Sequence, residues 1–140
     1  MFVQVETESN SLYERVGREP FFFGLVDRFY AGIETDPLLR PLYPEDLNGP
    51  RRRLALFLIQ YWGGPDTYSQ ERGHPRLRMR HFRFPIGQQE REAWLRHMRA
   101  AVESSHASPR DAATLMDYFE TAATSLLNRP NTSVLRRPNS

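Results

Sequence analysis

The sequence predicts an all-α protein. Apolar residues recur at helical spacing in several stretches, and Gly and Pro punctuate the chain between them. No alternating apolar/polar run with a hairpin turn marks a strand. Residues 1–10 read as a polar, frayed lead-in, and residues 129–140, rich in Pro, Asn, Ser and Arg, as a flexible tail. Residues 11–128 are left as one domain.

Within that domain the elements follow in order. Ser11 caps a short first helix through Val16, with Glu14 placed to complete a capping box and Gly17 to end it. Pro20 suits the first turn of a second helix, whose apolar stripe is Phe22, Val26, Phe29, Tyr30 and Ile33. Asp36-Pro37 starts a short helical turn that ends before Pro41. A further helix opens near Asn48-Gly49-Pro50 and sets Leu54, Phe57, Leu58 and Tyr61 at i, i+3, i+4 and i+7, until Gly63-Gly64-Pro65 stops it. Residues 66–73 read as irregular, and a short helix follows from Pro75 to about His81. After the break at Pro85-Ile86-Gly87, a long helix from 88 to about 105 buries Trp94, Met98, Ala101 and Val102. Ser108-Pro109 opens the last helix, with Leu115, Phe119, Ala122 and Leu126 on one side.

Composition narrows the function. At 140 residues, 39% hydrophobic and 26% charged, the chain has the make-up of an ordinary soluble domain with one core. It has no apolar run long enough for a membrane span. The N-terminus has neither the basic patch nor the apolar stretch of a signal peptide, so a cytoplasmic protein is expected. There is no cysteine, which excludes disulfides, thiolate catalysis, iron–sulfur clusters and a thiolate-ligated haem. All 19 basic residues are arginine, so Schiff-base chemistry and a P-loop lysine are excluded too. A net charge of +2 lacks the basic excess of a nucleic-acid binder.

The most informative segment is Gly73-His74-Pro75-Arg76-Leu77-Arg78-Met79-Arg80-His81-Phe82. On a short helix, His81 Nδ1–H can bond the Leu77 carbonyl, which leaves Nε2 free for a metal. A lone histidine at a helix end is also commonly solvated or packed in a core. His74 reads as structural, His97 as near the core without a ligand set, and His106 as solvated. No His-x-x-x-His pair with a glutamate points to zinc. One protein ligand, with the remaining coordination from a macrocycle, fits haem with a proximal histidine.

Two other groups bear on this. Tyr30, Tyr43, Tyr61 and Trp94 stand on or near apolar faces of separate helices, and each needs a partner for its O–H or N–H. They cap core carbonyls, or together they line a pocket for a ligand that accepts hydrogen bonds. Arginines crowd around His81 and at Arg51-Arg52-Arg53, either as a solvated face or as partners for haem propionates.

Several of these motifs resemble one family. Tyr43-Pro44-Glu45-Asp46, Gln60-Tyr61-Trp62-Gly63-Gly64-Pro65, the segment ending at His81, and Ala93-Trp94-Leu95-Arg96 are similar, in order and spacing, to truncated haemoglobins of the second group. The resemblance implies a two-over-two helical sandwich around haem b. It implies His81 as the iron ligand and Tyr30, Tyr43, Trp94 and Leu54 as distal residues. Arg53, Tyr61, Arg80, Leu77, Phe57 and Met98 are implied as cofactor contacts. Pro50 stands where longer globins place a distal histidine, so the tyrosines and Trp94 must supply the donors. Donors of this kind hold O₂ tightly, which suits oxidation of nitric oxide or chemistry on peroxide, served by an electron-donor reductase, better than carriage. An O₂ carrier, store or sensor is the alternative. A haem-free helical module for an acidic partner or RNA is a third, weakened by the small net charge. Association into a homo-oligomer is left open.

Overall fold

The computed structural model describes residues 11–73 and 86–127. Six α-helices and one 3-10 turn occur among them, with no strand. The first, α1 (Leu12–Val16), begins where Ser11 Oγ accepts the Glu14 N–H at 3.2 Å. It ends at Gly17, whose φ of 109° is left-handed, a conformation that a side chain would strain. The expected capping box is only half made. The Glu14 carboxylate turns instead to Arg18 Nε, at 3.0 Å.

Helix α2 (Arg18–Glu34) buries Phe22, Leu25, Val26, Phe29, Tyr30 and Ile33, the anticipated stripe plus Leu25. The turn after it departs from expectation. It is a 3-10 turn, Arg40–Leu42, and it runs through Pro41 rather than ending before it. Proline is tolerated there because the first residues of a helix have no use for their N–H.

Helix α3 (Asn48–Tyr61) corrects a second expectation. Its buried residues are Ala55, Leu56, Leu58 and Ile59, whereas Leu54 and Phe57 are half-buried and Tyr61 is 52% exposed. The helix carries two apolar faces, and the core takes the one packed on α2. Residues 67–72, expected to be irregular, form α4 (Thr67–Arg72). Its sequence is polar and weakly periodic, and tertiary contacts hold it. Tyr68 is buried, and the Gln60 amide brackets Ser69, donating to Oγ at 2.8 Å and accepting its N–H at 2.9 Å.

Helix α5 (Gln88–Glu103) is capped where the Gly87 N–H donates to Glu90 Oε1 at 2.9 Å. It buries Ala93, Leu95, Met98, Ala101 and Val102, while Trp94, expected inside, is half-buried. Helix α6 (Pro109–Ser125) starts where Ser108 Oγ accepts the Asp111 N–H at 3.1 Å, and it buries Leu115 and Phe119. Ala122 and Leu126, expected on the same face, are only partly covered; Met116 and Ala123 are buried in addition.

Helices α2 and α3 pack as one pair, α5 and α6 as another, and α2 crosses α5 between them. That arrangement is two helices over two. Phe22, Phe29, Phe119, Leu25, Leu58, Met98 and Leu115 are all fully buried at the junction. Each such side chain contributes about 1.5–3 kcal/mol through removal from water. Among the described residues no helix is long and apolar enough to cross a membrane.

Candidate functional site

Helical phase brings Tyr30 to the site. It lies one turn beyond Val26 on the buried face of α2 and is 4% exposed. Tyr43 follows the 3-10 turn, and Arg40 clamps the backbone around it, donating to the carbonyls of Pro44 at 2.9 Å and Glu45 at 2.8 Å. Trp94 comes from the second turn of α5, its ring meeting Phe29 of α2 and Phe119 of α6. The Tyr30 and Tyr43 rings meet edge to face at 5.5 Å. Phe29 lies 5.1 Å from Tyr30 and 5.0 Å from Trp94, so it spaces the group from beneath.

The electrostatics follow from burial. Desolvation pushes the Tyr30 phenol far above its ordinary value, and the nearby Tyr43 adds to this while Arg53 and Arg51 oppose it. Tyr43 is pushed up to about 12 by burial, against the pull of hydrogen bonds from Trp94 and Tyr30. Both phenols therefore stay protonated at neutral pH. They are hydrogen-bond donors and not bases.

The other sequence-derived candidates separate. Leu54 and Phe57 are half-buried on the second apolar face of α3, and Arg53 lies close enough to Tyr30 to bear on its ionisation. Met98 is fully buried in the core. Tyr61 makes its ring contacts outside the tyrosine–tryptophan group, tilted against Tyr118 at 4.3 Å and stacked on Phe57 at 6.1 Å. His81, Leu77 and Arg80 lie outside the described residues, as does His74. His106 is exposed, as expected.

Two features escaped the sequence reading. His97 Nε2 lies 2.6 Å from Asp36 Oδ2, a partner 61 residues away that periodicity cannot supply. Tyr118, beside Phe119 but off the Leu115/Phe119 stripe, is pushed up to about 12 by burial. Its ring closes a cluster with Tyr61 and Trp62, where the Trp62 indole N–H is buried with no hydrogen-bond partner among the described residues.

With this geometry in view, the chain can be set beside known proteins. The bacterial-like globin family matches residues 11–128. The group 2 truncated hemoglobin YjbI of Bacillus subtilis is 45% identical over 94 residues, covering 67% of this chain and 70% of that protein. The chain belongs to the group 2 truncated haemoglobins. Among solved structures, a thermostable hemoglobin from Thermobifida fusca superposes with a TM-score of 0.84 at 52% identity, covering 86% of this chain and 99% of that one. A truncated oxygen-avid haemoglobin from Bacillus subtilis does so with a TM-score of 0.80 at 39% identity, covering 85% and 100%.

The cofactor that goes with a truncated haemoglobin is haem b. The described residues fit such a group. Tyr43, Leu54, Phe57, Trp94 and Tyr118 pack against the core yet remain only partly covered, and they come from four separate segments of the fold. Large side chains left half-open in this way, four of them aromatic, suit a flat apolar group laid over them. The polar atoms among them are donors, which suits a small ligand that accepts hydrogen bonds.

Proposed function

We propose that this truncated haemoglobin uses Tyr30, Tyr43 and Trp94 to hold O₂ or a similar diatomic ligand tightly, and that its chemistry is oxidation of nitric oxide or reaction with peroxide, not transport. The observation that carries this reading is the convergence of the buried Tyr30 phenol, the half-buried Tyr43 phenol, both protonated, and one indole N–H from three separate segments. The oxygen avidity of the Bacillus subtilis relative is in keeping with it.

His81 is assigned as the iron ligand, on the strength of its motif and of Leu77 four residues earlier, whose carbonyl would hold the imidazole by Nδ1–H. When bound, haem supplies an iron centre that takes diatomic ligands and exchanges electrons with them. The chain's own residues do the rest. Tyr30, Tyr43 and Trp94 donate hydrogen bonds to a ligand that gathers negative charge, and each such bond is worth roughly 0.5–1.5 kcal/mol, more toward a charged acceptor. Leu54, Phe57 and Met98 keep water out, which strengthens those bonds. Arg53, Tyr61 and Arg80 are assigned to the propionates at the edge. A cytoplasmic location and a separate reductase as electron donor belong to the same reading.

Replacing the assigned iron ligand tests the site. His81→Ala is expected to lose most of its haem or its histidine-type ferrous spectrum, while His74→Ala and His106→Ala keep the parent spectrum. A parent-like spectrum in His81→Ala would move the ligand elsewhere. For the chemistry, the O₂-loaded ferrous protein mixed with nitric oxide should yield nitrate in step with oxidation of the protein. Simple exchange of one ligand for the other, without nitrate, would favour carriage, storage or sensing.

A further inference from the structure

A contact away from the ligand group links two of its three donors. Asp36 closes the chain after α2, and its Oδ2 lies 2.6 Å from His97 Nε2, with only 10% and 22% of the two side chains exposed. The same carboxylate accepts the backbone N–H of Leu38 at 2.8 Å and of Leu39 at 3.3 Å through Oδ1. The Asp36 carbonyl takes the Arg40 N–H at 2.8 Å, and the Arg40 guanidinium reaches the carbonyls of Tyr43 at 3.4 Å and Pro44 at 2.9 Å. The backbone on both sides of Tyr43 is thus tied, through Arg40 and Asp36, to His97. His97 stands three residues after Trp94 on α5, less than one helical turn away.

The imidazole is fixed from its other side as well. It lies against Gly32 on α2, where a Cβ would collide with the ring. His97 is therefore wedged between the α2 backbone and the Asp36 carboxylate. Its position registers three parts at once: α2 with Tyr30, the turn segment with Tyr43, and α5 with Trp94.

We infer that His97 and Asp36 are positioning residues, setting the separation of the Tyr43 hydroxyl from the Trp94 N–H and thereby how strongly the pair holds a ligand. The inference rests on the reading that these two groups face the ligand. Neither His97 nor Asp36 need touch it. A short, largely covered link of this kind fixes a geometry that solvent-exposed contacts would let drift.

The test uses the haem-loaded protein with carbon monoxide as probe, because the C–O stretch in the infrared responds to nearby hydrogen-bond donors. His97→Leu removes the link and keeps bulk, whereas His97→Gln retains an N–H that can reach Asp36. We expect the C–O band of His97→Leu to broaden and move toward that of Trp94→Phe. Its O₂ release should speed up by roughly three- to tenfold, with His97→Gln within about twofold of the parent. Circular dichroism melting shows whether each variant is folded. A folded His97→Leu with the parent band and rate would overturn the inference, as would a His97→Gln as altered as the leucine variant. Should His97→Leu not fold, Asp36→Ser serves instead, since its hydroxyl can still cap Leu38 but is too short to reach His97; a parent-like band there overturns the inference equally. If Trp94→Phe itself leaves the band unmoved, the ligand-facing reading falls and the inference falls with it. A shifted Trp94→Phe band beside an unshifted His97→Leu band rejects the positioning role alone.

Discussion

Single residues set the chemistry of this protein through burial more than through charge. Tyr43 is held protonated because the phenolate would be desolvated, so at neutral pH it keeps an O–H to donate while its oxygen accepts from Trp94 and Tyr30. Asp36 shows the opposite case. The His97 hydrogen bond, helped by the Leu38 and Leu39 N–H groups, holds its carboxyl below the ordinary range. A group with a lowered folded pKa stabilises the fold above its unfolded value, near 4, and loses that contribution as pH falls through the lower folded value. The stability difference between the parent and Asp36→Asn, measured by denaturant titration, should therefore shrink below about pH 4. A difference that grows on acidification would contradict the assignment of the hydrogen bond. If Tyr43 and Trp94 donate to one ligand, as proposed, the effects of Tyr43→Phe and Trp94→Phe on its release should be less than additive in the double variant.

At the scale of elements, long periodic helices were readable and short polar ones were not. The stripes of α2, α5 and α6 announce themselves at 3.6-residue spacing, Ser108 marks the start of α6 as its cap, and Ser11 does the same for the short α1. Helix α4 was missed because Thr67-Tyr68-Ser69-Gln70 has little pattern, and its order comes from Gln60 and the burial of Tyr68. On α3 the period was right and the face only partly so, Leu58 being buried while Leu54 and Phe57 are half-covered and Tyr61 is exposed. Two apolar faces compete there, and sequence alone does not say which one meets the core. Long-range pairs were illegible for a simpler reason. Arg15 grips Asp111 across 96 residues, with Nη2–Oδ1 at 2.9 Å and Nε–Oδ1 at 3.2 Å, joining α1 to α6. Asp111 is 8% exposed in its side chain, whereas Arg15 is 43% exposed. Asp111→Ala should lower unfolding stability by about 1–2 kcal/mol, as for the loss of a charge-assisted hydrogen bond, without stranding Arg15. A change below about 0.5 kcal/mol would make the pair a surface contact of no consequence.

At the scale of the whole molecule, two helix pairs and a short connecting turn carry Tyr30, Tyr43 and Trp94 to one place. All three were named from the sequence, whereas the contact of His97 with Asp36 became visible only in three dimensions. The residues that would hold the iron lie in the segment from 74 to 85, outside the described residues, and rest on the motif around His81. Binding of the cofactor at its edge is open to a separate check. If Arg53 pairs with a propionate, Arg53→Gln should release haem to an apo-globin acceptor faster than the parent, and the difference should narrow at high salt. Equal rates at both ionic strengths would return Arg53 to a role near Tyr30 alone. The central claim is that hydrogen-bond donors from the chain, foremost the Trp94 indole, make ligand release slow. It is tested most directly by the O₂ dissociation rate of the ferrous protein in Trp94→Phe, which keeps the ring and removes the N–H. Release about tenfold faster or more than in the parent is predicted, the size of one charge-assisted bond. A rate within about twofold would make the indole packing alone, and O₂ carriage would then be the better reading.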